Sequence, residues 1–245
     1  MSLQRTVGVL RVKRVLTTVA LAVISLLALA APAAAAPAQP DNGIVDSSKP
    51  VNGFVAGQLL GEEFRQLISL KPDNNPLAGN GNPCMSAGPR QKVLILFTVP
   101  DANPPANCTV NRGTPIFFSS LFAECSSVEV SPYYGKNERA QRKCALDDLA
   151  AAPFDAIQVT IDSATPVNIG VKRYLAVSRQ QTVCLPDPNI LGVAGNRQAT
   201  FVVAAYSVLL RPLSPGTHTI SVTIRGGQFP GTNRAIVNVV PGIRT

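Results

Sequence analysis

An all-β sandwich of the immunoglobulin-like or jelly-roll sort, with one short surface helix, is the fold this sequence predicts. Three observations predict it: seven short apolar runs separated by turn residues between positions 92 and 240, little helical periodicity, and a mature length of ~209 residues that suits one domain. A domain of that size buries roughly 70% of its unfolded-chain surface, ample for a core.

KVLILF (92–97) is apolar throughout, as a strand buried on both faces would be. TPIFFSSLF (114–122) is a second such run, and in AIQVTI (156–161) Ile157, Val159 and Ile161 share a face. NERAQRKCALDDLA (137–150) then puts Ala140, Cys144, Ala145 and Leu149 on one stripe at helical spacing, with Asn137 placed to cap, which predicts the surface helix. IGVKRYLAV (169–177), TFVVAAYSVLL (200–210), HTISVTI (218–224) and AIVNVV (235–240) complete the strands. Upstream, GEEFRQLISL (61–70) fits a short helix or an edge segment, and KPDNNPLAGNGNPC (71–84) is a loop by its density of Pro, Gly and Asn.

The N-terminus carries a different message. MSLQRTVGVLRVKR holds four basic residues and no acid, and an apolar run from Val15 to Ala31 follows it, ending in APAAAAPAQP. Basic, then apolar, then small residues is the order of a secretory signal peptide, here residues 1–36 with cleavage between Ala33 and Ala36. An uncleaved anchor is the alternative, since about 20 apolar residues span a bilayer. Residues 37–53 read as a flexible linker rich in Pro, Gly, Ser and Asp, and 54–245 as a single domain. The expected location is extracellular, with membrane contact only through an uncleaved leader. Cleavage removes four basic residues, and 8 − 4 leaves a charge of +4. No Lys/Arg run with interleaved aromatic residues argues for nucleic acid, whereas a modest positive balance suits anionic wall polymers.

Catalytic equipment is thin. His218 is the only histidine and continues the apolar face of Ile220, Val222 and Ile224, one step inside a corner made by Pro215-Gly216, a pair suited to a type II turn. That placement predicts a half-buried structural residue bonded to the backbone. A serine triad or Cys-His pair would have to recruit it, and no G-x-S-x-G elbow, P-loop or G-x-G-x-x-G occurs, so no catalytic residue, cofactor or metal is expected. DNNPLA (73–78) opens like a calcium loop with Asp73 and Asn75 but lacks its later ligand and glycine. Glu124, Glu129, Asp147, Asp148, Asp155 and Asp162 could supply an acid/base pair. Tyr133-Tyr134 is the one aromatic pair expected to be exposed.

Four stretches, NPLAGNGNPC, NCTVNRGTPIFFSSLFAECSSVE, IDSATPVNIGVKRYLAVS and YSVLLRPLSPGTHTI, resemble a family of uncharacterised secreted bacterial and archaeal proteins with a C-terminal P-L-x-P-G-x-H-x-I strand. The resemblance covers roughly residues 62–226, makes His218 the family histidine, and implies a fold and a secretion route but no reaction. The chain departs from the family at EEFRQL (62–67), where members carry tryptophans, and at Asn111-Arg112-Gly113-Thr114 in place of P-x-G-K.

Five cysteines allow fifteen ways of forming two bridges and leaving one thiol. Cys144 lies on the inward stripe of the helix and Cys125 ends the strand leading to it, so a bridge between them would pin helix to sheet. Cys84 and Cys108 flank KVLILF, and the resemblance makes both framework positions; they are the second expected pair. Cys184 lies outside the family pattern and is expected as a buried free thiol, with an intermolecular bridge or a reactive nucleophile as alternatives. Two function classes fit: a non-catalytic binding or structural protein of the cell envelope, recognising a wall polymer or another extracellular protein, and a secreted hydrolase using a carboxylate pair.

Overall fold

Alternating and continuous apolar runs become twelve strands among the described residues of the computed structural model, which are 43–88, 92–97 and 104–242. In chain order these are β1 (Ile44–Val45), β2 (Cys84–Ala87), β3 (Val93–Leu96), β4 (Ala106–Asn111), β5 (Ile116–Ser126), β6 (Ala156–Ile161), β7 (Val167–Asn168), β8 (Leu175–Val177), β9 (Gln181–Leu185), β10 (Arg197–Leu210), β11 (Gly216–Arg225) and β12 (Gly231–Val240). Two helices join them, α1 (Ala56–Ile68) and α2 (Glu138–Ala151). The segment read as a signal peptide lies outside the described residues.

Two mixed sheets form the sandwich. The first runs β1-β10-β5-β3-β2, with β8 and β9 also pairing along β10; the second runs β4-β12-β11-β6-β7. Neighbours are antiparallel except β3 with β5 and β4 with β12.

β10 shows why the apolar runs are continuous. Its Ala204, Val208 and Leu210 enter the core between the sheets with Ile157, Val159 and Ile220, while Phe201, Val203, Ala205 and Leu209 enter a second core beneath α1. Both faces are covered, so neither is polar.

α1 was legible only in part. A single surface helix was expected, yet a second, largely buried helix starts at Ala56, before the GEEF segment, and presents Leu59, Leu60, Phe64, Leu67 and Ile68 to the first sheet. Phe64 meets Phe122 and Phe201 at ring separations of 5.5 and 5.4 Å. Its N-cap, Val55, offers no side-chain hydrogen bond, so the sequence carries no start signal. α2 does carry one: Asn137 Oδ1 accepts the Ala140 N–H at 3.0 Å.

Two further expectations change. The described part of the linker, 43–53, belongs to the fold, with Ile44 and Val45 pairing Leu210 and Leu209. In IGVKRYLAV only Leu175–Val177 is strand; Lys172–Tyr174 makes a 3₁₀ turn that lays Arg173 over the Tyr174 ring.

One irregularity sets up the chemistry. Ser207 pairs Ser119 but Ala205 pairs Phe122, so β5 carries one residue more than β10 between them. This bulge puts Phe122 and Glu124 on the α1 side of the sheet, where strict alternation from Phe117 would have faced them the other way.

Candidate functional site

His218 sits at the mouth of β11 with its side chain 12% exposed. Nδ1 lies 2.8 Å from Asp162 Oδ2 and Nε2 lies 2.8 Å from the Ser214 carbonyl oxygen. A carboxylate and a carbonyl both accept, so this geometry favours the ring with both nitrogens donating, the protonated imidazole. Partial burial works against that charge, but the hydrogen bonds to Asp162 and Ser214 outweigh it, and the His218 pKa rises above its ordinary value. For Asp162, burial raises the pKa, and the bonds from His218 and from the Thr219 N–H (2.8 Å) bring it below the ordinary value. While both nitrogens donate, the ring has no lone pair to offer a substrate proton or a metal ion. The corner itself departs from expectation: Pro215 is in a bend and Gly216 opens β11 at φ +138°, whereas the glycine of a type II turn sits at about +80°.

A different constellation gathers where β5 ends. Glu124 shares the face of its ladder partner Val203, and burial, then a hydrogen bond with Glu129, then the charges of Glu129 and Asp148 push its pKa up to about 10. It is therefore neutral, and its Oε2 is buried without a partner. Glu129 Oε2 accepts from the fully buried Ser126 Oγ at 2.8 Å.

The loop after β5, residues 127–136, folds back on that strand. Ser126 N–H donates to Tyr133 O at 3.0 Å, and Gly135 N–H donates to Ser126 O at 2.8 Å. Gln141, wholly buried on α2, donates to Gly135 O and Thr200 Oγ1, each at 2.9 Å, and the Arg197 guanidinium donates to Val128 O at 3.1 Å. With the loop base fixed in this way, Val130 (79% exposed), Tyr133 (43%) and Tyr134 (49%) face solvent.

The cysteines frame the sandwich. Cys84–Cys108 joins β2, at the edge of the first sheet, to β4, at the edge of the second, and Cys125–Cys144 ties β5 to α2. Cys184 carries a free thiol and is exposed, not buried as expected, because it alternates with the inward Val183 and Leu185 on strand β9.

Of the remaining candidates, Asp147 pairs with Lys143 on α2, Asp148 adds its charge to the Glu124–Glu129 group, and Asp155 lies at the opposite end of β6 from Asp162. Asn75 of the calcium-like loop is buried and spent on the backbone, donating to Leu67 O at 2.6 Å and accepting from Leu77 N–H at 2.9 Å. Among the described residues no three His, Cys, Asp or Glu side chains gather as a metal site requires. Two shallow depressions flank α1, of about 450 Å³ beside Gln66, Asn74 and Asn82 and about 430 Å³ beside Gln58, Glu62 and Gln181.

Glu63 escaped the sequence reading. It stands between Leu59 and Leu67 on the inner stripe of α1, is 1% exposed, and accepts the Ser119 N–H at the bulge at 3.4 Å. Burial, only partly offset by Ser119, raises its pKa to about 8. A helix traced back to Ala56 would have flagged it as an acid on an apolar stripe. No family model matches the chain, and no curated protein matches it.

Proposed function

We propose that this chain is a secreted, disulfide-stapled β-sandwich that binds a polymer of the cell envelope without transforming it. The observation that carries this reading is the loop at 127–136, which turns two tyrosines and a valine outward from a base fixed by Ser126, Gln141 and the Cys125–Cys144 bridge. An anchored aromatic surface gives contact area at little entropic cost on binding. The basic-then-apolar N-terminus, the two disulfides and the likeness to uncharacterised secreted proteins support export.

A secreted hydrolase is the second reading, favoured by the contact of Glu124 with Glu129. Retaining glycosidases hold their carboxyls about 5 Å apart and inverting ones further, so that a sugar or a water fits between them. Here the two groups share a hydrogen bond, and Glu124 keeps its proton far above neutrality, which suits a packed carboxyl pair better than an acid/base couple.

The test is a pull-down of the full chain on purified wall polymers, with mass measurement of the supernatant. Retention with an unchanged polymer is the expected result. Release of new fragments, abolished in Glu129→Gln, would establish the hydrolase instead.

A further inference from the structure

We infer that the ligand is an anionic sugar chain, bearing carboxylate or phosphate groups, and that it docks across the tyrosine loop and the cations around it. This rests on the polymer-binding reading above and specifies the chemistry of the polymer.

The aromatic half of the site is Tyr133 and Tyr134, which are about half exposed and adjacent in sequence. Apolar sugar faces stack on such rings, and the phenol hydroxyls bond to sugar oxygens. The cationic half is drawn from the loop itself, from α2 and β10, which pack against it, and from the segment after β8, which packs on α2. Lys136 lies on the loop itself and Arg139 in the first turn of α2; both are exposed without an ion-pair partner among the described residues. Arg197 opens β10 and touches the loop through Val128 O. Arg179 is exposed beside Gln180, whose N–H donates to Glu138 Oε1 on α2 at 3.3 Å.

The acids nearby are largely committed. Glu138 is held by Arg142 at 3.2 Å, Asp147 by Lys143, and Glu124 is neutral; Glu129, whose partner Ser126 Oγ is uncharged, and Asp148, next to Asp147 on α2, have no cationic partner among the described residues. Lys136, Arg139, Arg179 and Arg197 thus have no carboxylate partner among the described residues, and they outnumber Glu129 and Asp148, the nearby carboxylates that have no cationic partner. Rings for the sugars and cations for the anions occur together here, and that pairing distinguishes a charged glycan from a neutral one.

Four probes separate the contributions: polygalacturonate, a phosphomannan, neutral dextran, and polyacrylate, which has the charge but no sugar rings. Binding to the full chain is read by calorimetry and by the change in tyrosine emission, which no tryptophan obscures and to which Tyr174, buried at 4%, and Tyr206, packed on Phe154, add a constant background. The expected result is binding to polygalacturonate or phosphomannan at least tenfold tighter than to dextran and polyacrylate, weakening as salt rises. The preferred one of the two tells whether carboxylate or phosphate is recognised. Tyr133→Ala with Tyr134→Ala should weaken binding at least tenfold, the corresponding Phe pair should restore most of it, and Lys136→Gln with Arg139→Gln should flatten the salt dependence, all with unchanged melting temperature. Equal binding to polyacrylate, or full binding by the double-alanine variant, overturns the inference. Binding of wall polymer in the pull-down together with no preference for either charged glycan would overturn it too, while leaving the polymer-binding reading in place. No binding to any sugar chain removes both.

Discussion

Both nitrogens of His218 are committed to acceptors, and this fixes how the corner responds to pH. The folded-state pKa lies above the ordinary 6.5, so the proton stabilises the fold fully below about pH 6.5, and that contribution is lost as pH rises through the folded value. Asp162 works in the opposite sense: its pKa is below 3.8, so its contribution is present above that value and disappears as pH falls through the folded one. His218→Gln, which cannot reach both acceptors, should cost about 1–2 kcal/mol near pH 5, the scale of disturbing a buried polar group, and less near pH 9. Melting curves at the two pH values check this, and a loss independent of pH would show that the ring is neutral. Gly216 tests the same corner from the backbone. At φ +138° a β-branched side chain is strained, so Gly216→Val should melt well below Pro215→Ala, and equal melting of the two would contradict the assigned conformation.

Glu63 belongs to the scale of the element, because it matters only where α1 lies on the β5 bulge. With a folded pKa of about 8 against 4.5 for the ordinary group, the folded chain alone keeps this proton between those values, and stability falls as pH rises through that window. At about 1.4 kcal/mol for each pH unit, the loss is on the order of 5 kcal/mol. Glu63→Gln keeps the shape and removes the ionisation, so it should flatten the stability profile between pH 5 and 8 in urea titrations; an unaltered slope would place the carboxyl in water. Glu124, neutral up to about 10, leaves a residual slope in the variant. The same two acids mark how far sequence reached. KVLILF and TFVVAAYSVLL were readable as strands because covering both faces keeps the run almost wholly apolar, with Ser207 the buried polar residue inside it. β2, β4 and β9 were not, since each lies at a sheet edge with polar residues alternating outward. The meeting of Glu124 with Glu129 depends on one inserted residue in β5, and a single insertion that reverses the face part-way along a strand leaves only a few residues of either alternation to read. Tyr133-Tyr134 was readable because exposure there follows from loop position alone.

At the scale of the whole molecule, the two disulfides do different work on loops of similar size. Cys84–Cys108 and Cys125–Cys144 span 24 and 19 residues, so restricting the unfolded chain contributes about 3 kcal/mol in each case. Their places in the fold separate them. The first closes one open side of the sandwich, where the β2 and β4 edges would otherwise part, and replacing both cysteines with alanine should loosen those short strands before the rest of the sheets. The second lies under the tyrosine loop, so its removal should lower stability by a similar amount and also weaken glycan binding. Hydrogen exchange that rises first in β2 and β4 in one variant, and in α2 and the loop in the other, is the expected pattern. Cys184 completes the cysteine count. On an exposed position of an edge strand, its thiol should react with an alkylating reagent in the folded, unreduced protein, one label per chain, while the other four stay unlabelled until reduction. Peptide mapping decides: label on Cys125 or Cys144 would mean that the helix is not tied to the sheet, and a chain that labels only after unfolding would mean that β9 is covered in solution, as an edge paired with a second copy would be.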